Sequence, residues 1–263
     1  MKIDKIFIIN LESRKDRKQE MIAQLNRAKI TNYEFYNAIK PESIDEINAW
    51  NPAFVTKKPD WLRTDFLKYR LGSFGCLQSH INVIKIAMER KYENILILED
   101  DVNIKLVPNP EKGESFEETY NSIKPQLDAL EKKNTIDIFY LGGTHKNKNL
   151  QQISYNVYKT TNTGTTSSYI ISKSGMEKVL SKIDKCDKEI DCFYIDEMQK
   201  KHNCYCIGPT MMNQRPSYSD IVQLEVTYNL DKPPIVTSIN FIIQDAEERH
   251  QIPQPPEGAQ CDE

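Results

Sequence analysis

Short apolar runs alternate with helical stripes along this chain, which is the pattern of an α/β protein. Lys5–Asn10 carries the run Ile6 to Ile9 and reads as a first strand. Ser13 can cap a following helix, with Asp16 in its first turn, and Met21, Ile22, Leu25 and Ala28 recur at helical spacing. Residues 31–38, with Tyr33 and Phe35, predict a second strand, so the chain opens as a β-α-β unit, one Rossmann-like half. Residues 40–69 break the pattern with Pro41, Pro52, Pro59, Trp50 and Trp61, and predict a long excursion with short helices, of a kind that is usually functional or mobile. Gly72 and Gly75 follow, and then 76–91 predicts a helix with Leu77, Ile81, Ile84 and Met88 on one stripe and Ser79 and His80 near its start.

The stretch that organises the rest is Glu93 to Asp101, E-N-I-L-I-L-E-D-D. Four consecutive aliphatics suit a strand buried on both faces, and the strand stops in three acids. Ligands of open α/β sheets gather outside the carboxyl ends of strands, so Glu99, Asp100 and Asp101 stand where chemistry is expected. Alternation along extended backbone would point Glu99 and Asp101 to one side and Asp100 to the other. Two hard oxygen donors on one side suit Mg²⁺ or Mn²⁺; a solvated strand end is the alternative. Beyond it the pattern predicts a polar loop at 108–118, a helix at 116–133, and a strand at 136–141 ending in Gly142 and Gly143. Those two glycines admit either a ligand or a plain turn. A strand at 166–171, a helix capped by Ser172 or Ser174, a charged loop at 184–190, a helix at 191–201 and a strand at 204–207 follow. The stretch 235–243 is apolar enough to dock, and 252–263, rich in proline, reads as a flexible tail behind a single domain of residues 1–251.

Composition narrows this picture. With 263 residues the chain can bury a sizeable core, and a net charge of −3 offers no excess that would point to nucleic acid or a membrane surface. No apolar run approaches a membrane span, and the four residues Ile6 to Ile9 are too few for a signal-peptide core, which makes the cytoplasm the expected compartment and leaves the secretory lumen open. The six cysteines show neither C-x-x-C spacing nor a zinc pattern and read as reduced thiols.

Separate motifs then line up with one family. Ile9-Asn10-Leu11 with Arg14, Asp16 and Arg17 resembles the opening I-N-L-x-x-R-x-D-R of glycosyltransferase family 25. Gly72, Gly75, Cys76, Ser79 and His80 resemble its G-x-x-G-C-x-x-S-H segment, and Glu99-Asp100-Asp101 its E-D-D, a local form of the D-x-D motif. Tyr169 to Ser172 with Gly175, the Ile190-Asp191 pair, and Pro209, Gln214, Ser219, Asp220 and Ile221 continue the resemblance in the family's order, over residues 5–221. One departure stands out: Ser73 occupies a position where the family usually carries an acid, which puts donor choice in doubt.

The resemblance implies a GT-A glycosyltransferase fold, a Rossmann-like, mixed and mostly parallel sheet flanked by helices. It also implies transfer of galactose or glucose from a UDP-sugar, with inversion, to a hydroxyl on a glycan or a collagen-like hydroxylysine. The family's members work in lipooligosaccharide (lipopolysaccharide) biosynthesis and in collagen glycosylation. Glu99 and Asp101 would then ligate Mn²⁺ or Mg²⁺, and Asn10, Arg14, Arg17, Ser79, His80, Asp100 and Gln214 would bind the nucleotide sugar. An inverting transfer needs a base for the acceptor hydroxyl, and Asp191 is the first candidate, with Asp196 in reserve. Two further readings are open. A sugar nucleotidyltransferase would also use carboxylates and a metal, but no glycine-rich phosphate loop follows the first strand. An inactive, glycan- or protein-binding descendant is opposed by intact Glu99, Asp101 and Asp191.

Overall fold

A computed structural model describes residues 1–106, 115–146, 149–226 and 235–236. The proline-rich tail, the 251/252 boundary, most of the loop at 108–118 and all but the start of the stretch at 235–243 lie outside the described residues. The chain builds β1 (Lys5–Asn10), α1 (Lys15–Arg27) and β2 (Tyr33–Asn37), with β1 and β2 parallel, as the β-α-β reading requires. Ser13 does not cap α1. A turn in which Arg14 N donates to Leu11 O at 2.9 Å places Arg14 at the cap position, while Asp16 does sit in the first turn.

The excursion contains α2 (Ile44–Trp50), opened by a capping box between Ser43 and Glu46. It is folded onto the body: Ile47, Phe54 and Leu62 are buried, and the Arg70 guanidinium donates to Phe54 O. The next helix, α3 (Phe66–Glu89), starts ten residues before the predicted start at 76 and runs straight through Gly72 and Gly75. Glycine is a poor helix former, but a Cβ on Gly75 would collide with Ile39 O and stand 2.8 Å from Pro41 Cδ. Close packing therefore sets both positions, Gly75 against Ile39 and Pro41 and Gly72 against Ile221, and Ser79 and His80 fall in mid-helix.

The sheet continues with β3 (Asn94–Glu99), β4 (Ile138–Tyr140), β5 (Gln152–Ser154), β6 (Val157–Lys159), β7 (Ser168–Ser172) and β8 (Cys204–Ile207). The spatial order is β2-β1-β3-β7-β4-β8-β6-β5. Six strands share one direction; β7 and β6 run against it. The predicted helix at 116–133 is two helices, α4 (Phe116–Asn121) and α5 (Lys124–Lys133). Pro125 lacks the N–H to continue α4 and opens α5 instead. Ser172 rather than Ser174 caps α6 (Lys173–Leu180), accepting from Gly175 N at 3.2 Å. The last helix, α7 (Ile190–Phe193), runs on as a π segment, Tyr194–Gln199.

Both sheet faces are covered, which explains the unbroken aliphatic run of β3. Leu96 and Leu98 pack with Ile6, Ile8 and the α1 side chains Met21 and Leu25 on one face. Ile95 and Ile97 pack with Phe7, Ile9 and the α3 side chains Leu77, Ile81 and Ile84 on the other. Burying a side chain of this size stabilises by about 1.5–3 kcal/mol, so β3 is held more firmly than any strand with a wet face. Among the described residues no helix is long and apolar enough to cross a membrane.

Candidate active site

A cavity of about 960 Å³ opens at the carboxyl ends of β1 and β3. That is the upper range for small-molecule sites. Its walls come from the α1 start, the excursion, α3, the E-D-D turn, the α7 start and a hairpin pairing Ser217–Ser219 with Leu224–Val226.

The E-D-D segment does not follow strand alternation. The strand ends at Glu99 and the chain turns, so Asp100 and Asp101 face Arg17 together while Glu99 faces His80. Asp100 Oδ1 accepts from Arg17 Nη1 and Oδ2 from Asn10 Nδ2, both at 2.7 Å. Arg17 Nη1 also lies 3.5 Å from Asp101 Oδ2, and its Nη2 donates to Ser217 Oγ at 3.1 Å and Tyr218 O at 2.6 Å. One buried guanidinium thus ties the acids to the hairpin. Gln214 Nε2 approaches both Asp101 oxygens at 3.4 and 3.5 Å. Burial raises the Asp100 carboxyl despite Arg17 and Asn10. Burial and the charge of Glu99 push the Asp101 carboxyl up to about 7. Burial also opposes ionisation of Glu99, but the His80 ring beside it and the Thr166 hydroxyl bring it below the ordinary value.

Thr166 reaches Glu99 because β7 is antiparallel to β3. Ser168 pairs with Leu98, so the residues entering β7 lie beside the residue leaving β3, and Thr166 Oγ1 donates to Glu99 Oε1 at 2.8 Å. His80 is fully buried; its Nδ1 is 2.9 Å from the Tyr169 hydroxyl, and its Nε2 lies 3.4 Å from Glu99 Oε1 without hydrogen-bond geometry. Ser79 donates to Gly75 O at 2.7 Å and accepts from Ile39 N at 2.8 Å, bracing α3 against the excursion.

Asp191 lines the same cavity. Its Oδ1 accepts from Cys192 N at 2.8 Å and its Oδ2 from Thr165 N at 3.3 Å. Gly164 lies between it and Lys146: a Cβ there would stand 3.2 Å from Lys146 Cε and 3.5 Å from Asp191 Oδ2. The π segment serves this wall, because the Gln199 amide accepts from Thr163 N and donates to Thr163 O at 2.8 and 2.7 Å.

Arg17, Ser79, His80, Glu99, Asp100, Asp101, Asp191 and Gln214 therefore share one cavity, with Asn10 behind Asp100. Arg14 lies outside it, paired with Asp16 and Asp220. Asp196 lies outside it too, its carboxylate held by Lys188 at 3.0 Å and Lys200 at 2.7 Å. Ser73 lines the wall where the family's acid is replaced. Gly142 and Gly143 make room for protein: a Cβ on the first would collide with Met212 O, and one on the second would stand 2.7 Å from Thr163 Cγ2. Residues not singled out from sequence include Thr166, Lys146, Tyr69 and Tyr218. The antiparallel entry of β7 brings in Thr166, the closing hairpin brings in Tyr218, the early start of α3 brings in Tyr69, and the pairing of Thr144–His145 with Thr163–Gly164 brings in Lys146.

The family model described as glycosyltransferase family 25 (LPS biosynthesis protein) matches residues 3–194. The chain belongs to glycosyltransferase family 25. The chain is 32% identical over 107 residues to procollagen galactosyltransferase 2 of Mus musculus, across 40% of this chain and 17% of that one. It is 30% identical over 128 residues to a protein of Acanthamoeba polyphaga mimivirus provisionally named a glycosyltransferase, across 46% of this chain and 34% of that one. The chain thus spans about a third or less of the length of these curated relatives. Among solved structures, mannose-1-phosphate geranyltransferase from Thermus thermophilus superposes with a TM-score of 0.42 at 10% identity, over 84% of this chain and 77% of that one, too distant to carry weight.

Proposed function

We propose that this glycosyltransferase moves a hexose, galactose or glucose, from a UDP-sugar to a hydroxyl acceptor on a glycan or a collagen-like hydroxylysine, with inversion and with a divalent cation. The observation that carries the reading is that Glu99, Asp100, Asp101 and Asp191 line one cavity at the carboxyl ends of β1 and β3, with Thr165 bonded to Asp191 and its neighbour Thr166 to Glu99. The donor set fits Mn²⁺ or Mg²⁺. Glu99 and Asp101 offer hard oxygens, and the mutual repulsion that raises Asp101 is what a bound cation would relieve. When bound, the cation supplies Lewis-acid stabilisation of the leaving diphosphate.

The remaining work falls to the chain. Asn10 and Arg17 hold Asp100 in place, leaving it to meet the ribose or sugar of the donor, and Gln214 steadies Asp101. Asp191 accepts the proton of the acceptor hydroxyl as it attacks from the face opposite the leaving group. Lys146, across Gly164 from Asp191, adds positive charge on the same wall. The half-exposed walls of the excursion and hairpin exclude water from a donor that would otherwise hydrolyse.

The test is UDP release from a panel of UDP-sugars, with and without Mn²⁺, in wild type, Asp101→Ala and Asp191→Asn. One donor should be turned over in a metal-dependent way, Asp101→Ala should abolish this, and Asp191→Asn should lower transfer by about 10²–10⁴-fold with donor binding retained. Absence of both turnover and metal-dependent UDP binding would replace the transferase reading with that of a binding protein.

A further inference from the structure

Besides the oxygen donors of the E-D-D turn, the cavity holds a softer set. Cys76 and His80 are four residues apart on α3, hence on one helix face, and that face looks onto the end of β3. The ligand atoms of Cys76, His80 and Glu99 all lie within 4.8 Å of one another. His80 is fully buried, and its Nε2 has no hydrogen-bond partner although it faces Glu99. The opposite ring nitrogen is fixed by the Tyr169 hydroxyl, which meets the Tyr194 hydroxyl at 3.0 Å. With Nδ1–H donating along that pair, Nε2 presents a lone pair to the cavity, which is the outer support a metal-bound histidine normally has. An imidazole, a thiol and one carboxylate suit Zn²⁺ better than Mg²⁺ or Mn²⁺.

We infer that Cys76, His80 and Glu99 form a binding site for a thiophilic divalent cation of the Zn²⁺ class, distinct in donor chemistry from the Glu99–Asp101 pair but sharing Glu99 with it. Three protein ligands leave a fourth tetrahedral position open toward the cavity. Zinc lies about 2.0–2.3 Å from such ligands, which then stand roughly 3.3–3.8 Å apart, so the His80 Nε2–Glu99 Oε1 pair at 3.4 Å already fits and only the wider separations, none above 4.8 Å, have to close. That is within reach of side-chain rotation at the cavity wall. The Cys76 thiol loses its proton to solvent as the metal–sulfur bond forms, and the ion is held by thiolate, neutral imidazole and carboxylate. A cation seated there takes Glu99 away from the oxygen pair, so zinc would act as an antagonist of the metal used in transfer.

Titrating the metal-free full chain with Cd²⁺, and following the ultraviolet thiolate-to-metal charge-transfer band, tests the site without reference to any sugar. Wild type should take up one equivalent with the band, and Cys76→Ser should lose the band or bind at least tenfold more weakly. Cys186, Cys192, Cys204, Cys206 and Cys261 remain in that variant as internal controls. Should Cys76→Ser fail to fold by circular dichroism, Zn²⁺ protection of Cys76 from alkylation, mapped by mass spectrometry in wild type, decides instead. A band unchanged by Cys76→Ser, or Cys76 alkylated equally fast with and without Zn²⁺, would overturn the inference. Neither result touches the transferase reading, which the UDP-release assay decides separately.

Discussion

Arg17 is the residue on which most of the site's electrostatics turn. Its side chain is 9% exposed and stands between two buried carboxylates. Removing one partner from such a group leaves charge buried without compensation, which costs about 3–5 kcal/mol. Arg17→Ala should therefore lower unfolding free energy by about that amount in urea titration. Arg17→Lys should recover only part, since a single ammonium cannot serve Asp100, Ser217 and Tyr218 at once. An Arg17→Ala protein as stable as wild type would contradict this account. Asp101 shows the opposite sign. Its folded carboxyl, raised by burial and by Glu99 to about 7, holds its proton more tightly than an unfolded Asp does. Ionising it costs stability, and the cost grows as pH rises from about 4 through about 7. In metal-free buffer Asp101→Asn should melt above wild type at about pH 8, with the gap narrowing toward about pH 5. A gap independent of pH, measured by calorimetry across that range, would contradict the raised carboxyl.

At the scale of elements, α3 is where local propensity and packing disagree most. Sequence pattern places its start after Gly75, because glycine weakens a helix by about 1 kcal/mol relative to alanine. In the structure Gly75 is the point at which the helix touches the excursion at Ile39 and Pro41. Gly75→Ala should therefore lose stability, by about 1–3 kcal/mol or more, although alanine is the better helix former. Gly72→Ala, whose Cβ would sit 3.2 Å from Ile221 Cα on the hairpin, should fall nearer to neutral. Thermal melts of the two variants side by side check the contrast. The same conflict explains what could be read beforehand. β1, α1, β3 and the acids were legible because Ile6 to Ile9 and Ile95 to Leu98 carry their periodicity locally. The split at Pro125 is equally local, but the length of α3 and the turn that puts Asp100 beside Asp101 depend on contacts with residues far along the chain. Thr166 was invisible for that reason: nothing near it in sequence says that β7 enters beside Glu99. Arg14 and Asp196 show the converse, since their residue types and motif positions fit a site while their nearest charges draw them to the surface.

Across the whole molecule, the reversed direction of β7 is what lets one cavity collect residues from distant parts of the chain. Parallel strands deliver residues that follow them, and a reversed neighbour delivers residues that precede it, so Glu99 and Thr165 to Thr166 arrive at the same rim from opposite directions. Asp191 and Lys146 are then positioned by segments bonded to that rim. The family relationship, which covers residues 3–194, spans the acids and Asp191 but stops before the hairpin that closes the cavity. The guanidinium of Arg17 reaches that hairpin at Ser217 and Tyr218, 200 and 201 residues further on. During synthesis this has a temporal meaning. The first three sheet strands can pair while the second half of the chain is still unmade, yet the pocket stays unroofed, and its buried acids keep access to water, until the ribosome has passed the hairpin. Closure of the site thus waits on a segment 200 residues downstream of the arginine that holds it.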